Sequence, residues 1–156
     1  MVRIYIVQHA EAKPKSEDPE RHITEKGRTE TVKIAKIAEK IIGKNKIATI
    51  IHSTKTRSKE TAEILSKFLQ PAKGLIEKEN IEPTADPSII AKELKDTSED
   101  VMIVGHLPHL SKLVSLLICE NPEIEIVKFR YSCIICLEKE DCKWRIRWML
   151  TPDTIP

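Results

Sequence analysis

Short apolar runs alternate with amphipathic stretches along most of the chain, and this alternation restricts the fold more than any other sequence feature. The apolar runs, rich in β-branched residues, predict buried strands at 2–7, 47–51 and 101–104. The amphipathic stretches predict helices at 25–42, 61–69, 87–95 and 108–118. Together they predict an α/β fold, a three-layer sandwich with a mostly parallel central sheet flanked by helices.

The first helix has clear end signals, and the middle and tail of the chain predict further strands. Thr24 is expected to cap that helix and Gly43 to end it. A weaker strand is predicted at either 75–76 or 80–81. Near the C-terminal end, 126–138 and 143–149 predict antiparallel strands at the edge of the sheet, joined by a turn at Glu140 and Asp141.

Two tryptophans fall on the last predicted strand. Trp144 and Trp148 lie four residues apart. Side chains at even spacing point to the same face of a regular strand. Both rings are therefore expected on one side of the sheet, where packing is favoured over a ligand-binding role.

The size and charge of the chain exclude several classes of function. With 156 residues it has the size of one domain, predicted to span 1–156. A net charge of +2 and an aromatic fraction of 4% argue against a nucleic-acid-binding surface. No apolar run reaches the roughly 18 residues of a membrane helix, and the start, with Arg3, does not fit a signal peptide. We expect a cytoplasmic protein without nucleic-acid or membrane contacts.

Four cysteines include one pair with the spacing of a zinc or redox motif, Cys133 and Cys136. This pair lies on a predicted strand, where residues three apart face opposite sides. Two such thiolates do not converge on a metal. The spacing therefore favours buried, reduced thiols.

Polar residues follow each of the three buried strands predicted at 2–7, 47–51 and 101–104. The first strand ends in Gln8 and His9, the second leads to Ser53 with Arg57 one turn later, and the third is followed by His106. Since the carboxyl ends of parallel strands lie at one edge of a sheet, these side chains are expected to face one another.

Two imidazoles and a guanidinium beside helix N-termini suit a bound anion. Helix N-termini offer unpaired N–H groups, and arginine adds a fork that matches phosphate oxygens. Glu11 is the only carboxylate close to these strand ends in sequence, which disfavours magnesium or calcium. His109 follows His106 by three residues, but a metal site at this pair is also disfavoured.

These residues carry a resemblance to a known family. His9 after the first strand, the run from Ser53 to Arg57 before Glu60-Thr-Ala, and Gly105-His106 are typical of the histidine phosphatase superfamily. Further matches are Arg21-His-Ile-Thr, Glu25-Lys-Gly and His106-Leu-Pro. Within the superfamily, the chain most resembles the short SixA-type phosphohistidine phosphatases, from residue 1 to about residue 152.

The resemblance implies an activity and a role for each matching residue. His9 would attack phosphorus and become transiently phosphorylated, while Arg57 and His106 would bind the transferring phosphoryl group. Gln8, Arg21 and Ser53 would add phosphate contacts. The family needs no metal and no organic cofactor. The implied partner is a phosphoprotein such as a histidine phosphotransfer domain; the sequence leaves the oligomeric state open.

One position departs from the family pattern. The first motif of the family reads Arg-His-Gly, whereas this chain has Gln8-His9-Ala10. Glutamine donates neutral hydrogen bonds of about 1 kcal/mol, and charged ones contribute about 1.5–3 kcal/mol. A difference of about 1.4 kcal/mol corresponds to about tenfold in rate. Either Arg21 compensates, or the protein binds phosphate with little turnover.

The general acid is also not evident in the sequence. Glu11 and Glu82 are candidates, although either also fits an exposed surface charge. An imidazole leaves more easily than an alkoxide, so this favours phosphohistidine as the substrate. The alternatives are a phosphomonoesterase for small esters and a weakly active or non-catalytic phosphoprotein-binding regulator.

Overall fold

The apolar runs form six strands in the computed structural model, which describes residues 1–156. The strands are β1 (Val2–Gln8), β2 (Thr49–His52), β3 (Leu75–Glu77), β4 (Val101–Gly105), β5 (Ile134–Glu140) and β6 (Lys143–Leu150). They form one sheet in the order β3-β2-β4-β1-β5-β6. β3, β2, β4 and β1 are parallel, and β5 and β6 extend the sheet with antiparallel pairing. The predicted sheet is confirmed.

Four helices cover the two faces of this sheet: α1 (Glu25–Ile42), α2 (Thr56–Leu69), α3 (Pro87–Lys95) and α4 (His109–Cys119). α1 and α2 pack on one face, where Ile34 and Leu65 enter the core. α3 and α4 pack on the other face through Ile90 and Leu113. The predicted three-layer sandwich is therefore confirmed, and a short 3-10 turn at Pro152–Thr154 ends the chain.

The ends of α1 follow their sequence signals. The side chain of Thr24 accepts a hydrogen bond from the N–H of Gly27, and Gly43 ends the helix with a φ of 95°. Gly27 is required by a close approach, because a Cβ at this position would lie 2.4 Å from the carbonyl oxygen of Glu11. The segment after β1 is thereby held against the start of α1.

α2 begins five residues before the predicted start at residue 61. Its first turn is polar and therefore lacks the apolar periodicity on which the prediction rests. Ser58 is nevertheless buried, and its hydroxyl donates to the carbonyl of Val104 at 2.6 Å. This bond ties the first turn of α2 to the end of β4.

The predicted strand at 126–138 is wrong in its first half. β5 begins only at Ile134, after Ser132 adopts a left-handed conformation with a φ of 63°. It continues to Glu140, and the turn that follows uses Asp141 and Cys142, both with positive φ. Such a conformation at two successive residues is typical of a tight hairpin turn.

The expectation for the two tryptophans is also wrong. Trp144 packs with the core beneath α3 and α4, whereas Trp148 packs against the core on the α1 and α2 side. The pairing of β5 with β6 contains a bulge, since Leu137 pairs with Ile146 but Cys136 pairs with Trp148. One extra residue reverses the direction of the following side chains.

The cysteine pair lies as its spacing predicts. Cys133 is part of the core on the α3 and α4 side, and Cys136 belongs to the core on the other side. Burial raises the pKa of both thiols, that of Cys136 to about 11. All four cysteines are free. Among the helices, none combines the length and the apolarity that crossing a membrane requires.

Candidate active site

The strand register brings the predicted residues together at the carboxyl edge of the sheet. Gln8 at the end of β1 pairs with Gly105 at the end of β4, and the N–H of His9 donates to the carbonyl of Gly105 at 3.0 Å. The rings of His9 and His106 consequently lie side by side, with centroids 5.0 Å apart. β2 on the other side of β4 contributes Ser53.

The ring of His9 is held in one orientation by the backbone. Its Nδ1 donates to the carbonyl of Ala10 at 2.7 Å, and the N–H of Ala10 donates to the hydroxyl of Thr61 at 2.9 Å. The ring is 6% exposed. With the proton on Nδ1, the Nε2 atom carries a free lone pair, as a nucleophilic imidazole requires.

The lone pair on Nε2 faces Arg57. The Nε of Arg57 lies 3.4 Å from the Nε2 of His9, and the carbonyl of Arg57 accepts the hydroxyl of Thr61 at 2.8 Å. Arg57 stands in the first turn of α2, where unpaired helix N–H groups add positive potential. Thr61 therefore connects the segment after β1 to the helix that carries Arg57.

Arg21 is the second guanidinium near His9. Its backbone has a φ of 53°, and its Nε donates to the carbonyl of Lys13 at 3.0 Å. Burial is the main cause that lowers the pKa of both His9 and Arg57; the charges of both arginines lower that of His9 further, and the charge of Arg21 lowers that of Arg57 further. Neither arginine forms an ion pair with a carboxylate. Two positive groups without a counterion are typical of an anion site.

His106 is almost fully buried between its neighbours. Its Nε2 lies 2.6 Å from the hydroxyl oxygen of Ser53, while its Nδ1 has no hydrogen-bond partner. The oxygen of Ser53 also accepts the N–H of Lys55 at 3.2 Å. The N-cap residue of α2 is Lys55, so Ser53 lies two residues before this position.

Burial makes both imidazoles neutral at pH 7. It lowers the pKa of His9 to about 4, with the charges of Arg57 and Arg21 acting in the same direction. It lowers the pKa of His106 to about 2, assisted by His9 and Arg57. A neutral imidazole keeps the lone pair that a nucleophile needs, so the site combines a neutral His9 with positive guanidinium groups.

Gln8 occupies a cleft beside these residues. Its side chain is 7% exposed, and its Oε1 has no hydrogen-bond partner. The cleft has a volume of about 270 Å³ and is lined by polar and apolar groups, among them Glu11, Glu30, Leu107, Phe129, Arg130, Tyr131 and Asp153.

Two residues of the site were not predicted from the sequence: Tyr131, which contacts His9, and Thr61, which binds Ala10 and Arg57. The ring of Tyr131 lies 5.7 Å from that of His9, and it is 44% exposed. Its place is set by Ser132, whose N–H donates to the carbonyl of Gln8 and whose hydroxyl pairs with that of Thr31. Nothing in the sequence marks Tyr131, because its position depends on this long-range contact.

The two candidate acids have different surroundings. The carboxylate of Glu11 accepts the hydroxyl of Thr24 at 2.8 Å, which ties it to the start of α1. Glu82 is half-buried and lies near His109. Burial lowers the pKa of His109, and the charge of Glu82 acts in the opposite direction. His109 itself is fully buried, and no cluster of three or more His, Cys, Asp or Glu residues is arranged to hold a metal ion.

Solved structures with the same fold are found at low sequence identity. A protein histidine phosphatase SixA in complex with tungstate superposes with a TM-score of 0.84, at 20% identity over 97% of this chain and 98% of that one. The chain has the histidine phosphatase fold. A SixA protein from Agrobacterium tumefaciens, assigned as a phosphohistidine phosphatase, gives a TM-score of 0.77 at 22% identity, covering 97% and 98% of the two chains.

The histidine phosphatase fold also includes an enzyme for a small phosphate ester. A mycobacterial glucosyl-3-phosphoglycerate phosphatase, solved with VO3, has a TM-score of 0.71 at 13% identity, covering 95% of this chain and 98% of that one. No protein-family model matches the sequence, and no curated protein matches it either.

Proposed function

We propose that this chain is a phosphatase of the histidine phosphatase superfamily, forming one catalytic domain over residues 1–156, with His9 as nucleophile. One observation carries the proposal: the Nε2 of a neutral, buried His9 faces the guanidinium of Arg57, which has no carboxylate partner. The hydrogen bond from Nδ1 to the Ala10 carbonyl keeps the lone pair on Nε2. This arrangement suits in-line attack on a phosphoryl group.

The proposed reaction has two steps. In the first, the Nε2 lone pair of His9 forms a bond to phosphorus, and the bond to the leaving group breaks with its electron pair. Arg57, Arg21 and a hydrogen bond from His106 stabilise the charge on the equatorial oxygens. In the second step, a water molecule attacks phosphorus and loses one proton to the solvent, and the Nε2–P bond breaks to return its electron pair to His9, which releases inorganic phosphate.

A phosphohistidine-bearing protein is the substrate class that we favour. An imidazole is a better leaving group than an alkoxide, so its departure depends less on a general acid. The carboxylate of Glu11, one of two candidates for that acid, is bound to Thr24. The segments 10–23 and 70–87 are short and leave the site open to a protein surface. The likeness to SixA proteins supports the same choice.

Two other functions each have an observation in their favour. The fold shared with a glucosyl-3-phosphoglycerate phosphatase favours a small phosphate ester as substrate. Gln8, which stands where the family has an arginine, favours a phosphoprotein-binding regulator with little turnover. The regulator would bind phosphate without forming phospho-His9.

A comparison of substrates tests the proposed function. Phosphate release is measured from a phosphohistidine-bearing phosphotransfer protein and from a panel of sugar phosphates under the same conditions. We expect the larger kcat/KM on the phosphoprotein. Faster turnover of a sugar phosphate would establish the esterase instead. Binding of tungstate without release from any substrate would establish the regulator.

A further inference from the structure

The segment at 125–130, between α4 and β5, has the side-chain pattern of a strand. Val127 is half-buried and Phe129 is buried, and both pack on the core beneath α3 and α4. The side chain between them, Lys128, and the flanking side chains of Ile126 and Arg130 are exposed. This alternation is that of an extended strand with one face on the core. The segment nevertheless has no partner strand.

The backbone of this segment is unpaired. The amide and carbonyl groups of residues 125–129 make no hydrogen bond to other backbone groups. An extended run with free N–H and C=O groups is a template on which another extended chain can add by backbone pairing. Its inward side chains, Val127 and Phe129, hold the run against the core.

A groove separates this segment from the start of α4. It has a volume of about 360 Å³ and is lined on one side by Pro108, Ser111 and Lys112 and on the other by Val127, Lys128 and Phe129. Leu107 and Phe129 line both this groove and the cleft that holds Gln8. Leu107 directly follows His106 and is 39% exposed. The groove therefore adjoins the Gln8 cleft, which lies beside the candidate active site.

We propose that the segment 125–130 and this groove dock an extended stretch of the phosphorylated substrate protein. The inference rests on the proposed function and specifies its substrate. A polypeptide whose phosphorylated residue enters the site leaves along the adjoining surface, and the groove is such a surface. The backbone of this polypeptide supplies hydrogen-bond partners for the N–H and C=O groups of residues 125–129. A sugar phosphate supplies no such row of groups.

Charge on the rim of the groove does not select the partner. Lys112 and Lys128 carry positive charge, while Glu123 and Glu125 carry negative charge. With both signs present, recognition depends on backbone pairing and on apolar contact with Leu107 rather than on net charge. A substrate that carries its phosphohistidine on a helix would need a separate extended stretch to use this surface.

Hydrogen exchange with two probes tests the docking site on the wild-type protein. One probe is tungstate, and the other is a nine-residue peptide carrying a stable triazole phosphonate analogue of phosphohistidine. We expect the peptide, and not tungstate, to slow amide exchange within residues 125–130. Peptide binding that competes with tungstate but leaves this exchange unchanged overturns the docking site and retains the phosphate site. Failure of both probes to bind overturns both the docking site and the proposed function.

Substitutions at Lys128 provide an independent kinetic test. Lys128→Pro removes a backbone N–H, and Lys128→Ala is the matched control that removes only the side chain. Losing one backbone hydrogen bond is expected to raise the KM for a phosphohistidine peptide by up to about tenfold in the proline variant only. Turnover of free phosphoramidate should be the same in all three proteins. An equal KM for the peptide in both variants contradicts the proposal.

Discussion

The Nε of Arg57 lies 3.4 Å from the Nε2 of His9, and this pair joins two parts of the chain that are 48 residues apart. His9 comes from the end of β1 and Arg57 from the first turn of α2. Thr61 holds these two parts of the chain together, because its hydroxyl accepts a hydrogen bond from the N–H of Ala10 and donates one to the carbonyl of Arg57. The segment that carries His9 and the helix that carries Arg57 are thus joined by one threonine.

Replacement of that threonine tests this connection. Thr61→Val keeps the side-chain shape but leaves the buried N–H of Ala10 without a partner, at a cost of about 1–3 kcal/mol in the free energy of unfolding. The substitution should also lower kcat, because the carbonyl of Ala10 orients the ring of His9. Urea denaturation and steady-state kinetics measure the two effects, with Thr29→Val on the exposed face of α1 as control. An unchanged unfolding midpoint for Thr61→Val would rule out the proposed link.

Ser53 is expected to act through His106. Ser53→Ala removes the hydroxyl that lies 2.6 Å from the Nε2 of His106. A net loss of about 1 kcal/mol, typical of one hydrogen bond, lowers kcat about fivefold. Ser66→Ala is the matched control, because Ser66 lies on α2 outside the site. If Ser53→Ala and Ser66→Ala have equal kcat, the hydroxyl of Ser53 has no part in turnover.

Gln8 is the position at which the chain departs from its family resemblance. Gln8→Arg should raise kcat/KM about tenfold, since a charged hydrogen bond to phosphate replaces a neutral one. The cleft of about 270 Å³ also holds the carboxylates of Glu11, Glu30 and Asp153, which can balance the added charge. Gln8→Met, which cannot donate a hydrogen bond, should lower the same constant. Reduced activity of Gln8→Arg would show that glutamine is adapted to this site.

The lowered pKa of His9 predicts a pH dependence of stability. The folded protein keeps the ring neutral down to a pKa of about 4, while an unfolded chain binds a proton near pH 6.5. Between these values the unfolded state holds more protons, so stability decreases as the pH decreases. His9→Asn should make this slope shallower by up to about 1.4 kcal/mol per pH unit. Equal slopes in denaturant titrations at pH 4.5 to 6.5 would contradict a buried, neutral His9.

Much of the fold follows from the sequence because strand and helix periodicities are local. α1 and α3 have the predicted bounds. The approach of His9 to His106 follows from parallel strands that end at one edge. The role of Thr61 could not be predicted, because its contact with Ala10 joins segments that are distant in sequence. Residues 126–130 are predicted as part of a strand because alternation of apolar and polar residues indicates a buried face. This alternation does not indicate whether a partner strand is present.

The central claim is that His9 becomes phosphorylated during turnover. The most direct measurement follows labelled phosphate from a phosphohistidine protein onto the enzyme, in wild type and in His9→Asn, whose amide can still donate to the Ala10 carbonyl. We predict an acid-labile label on His9 in wild type, with phosphate release, and neither in the variant. Release of phosphate by His9→Asn at the wild-type rate, or turnover by wild type with no label, would contradict His9 as nucleophile.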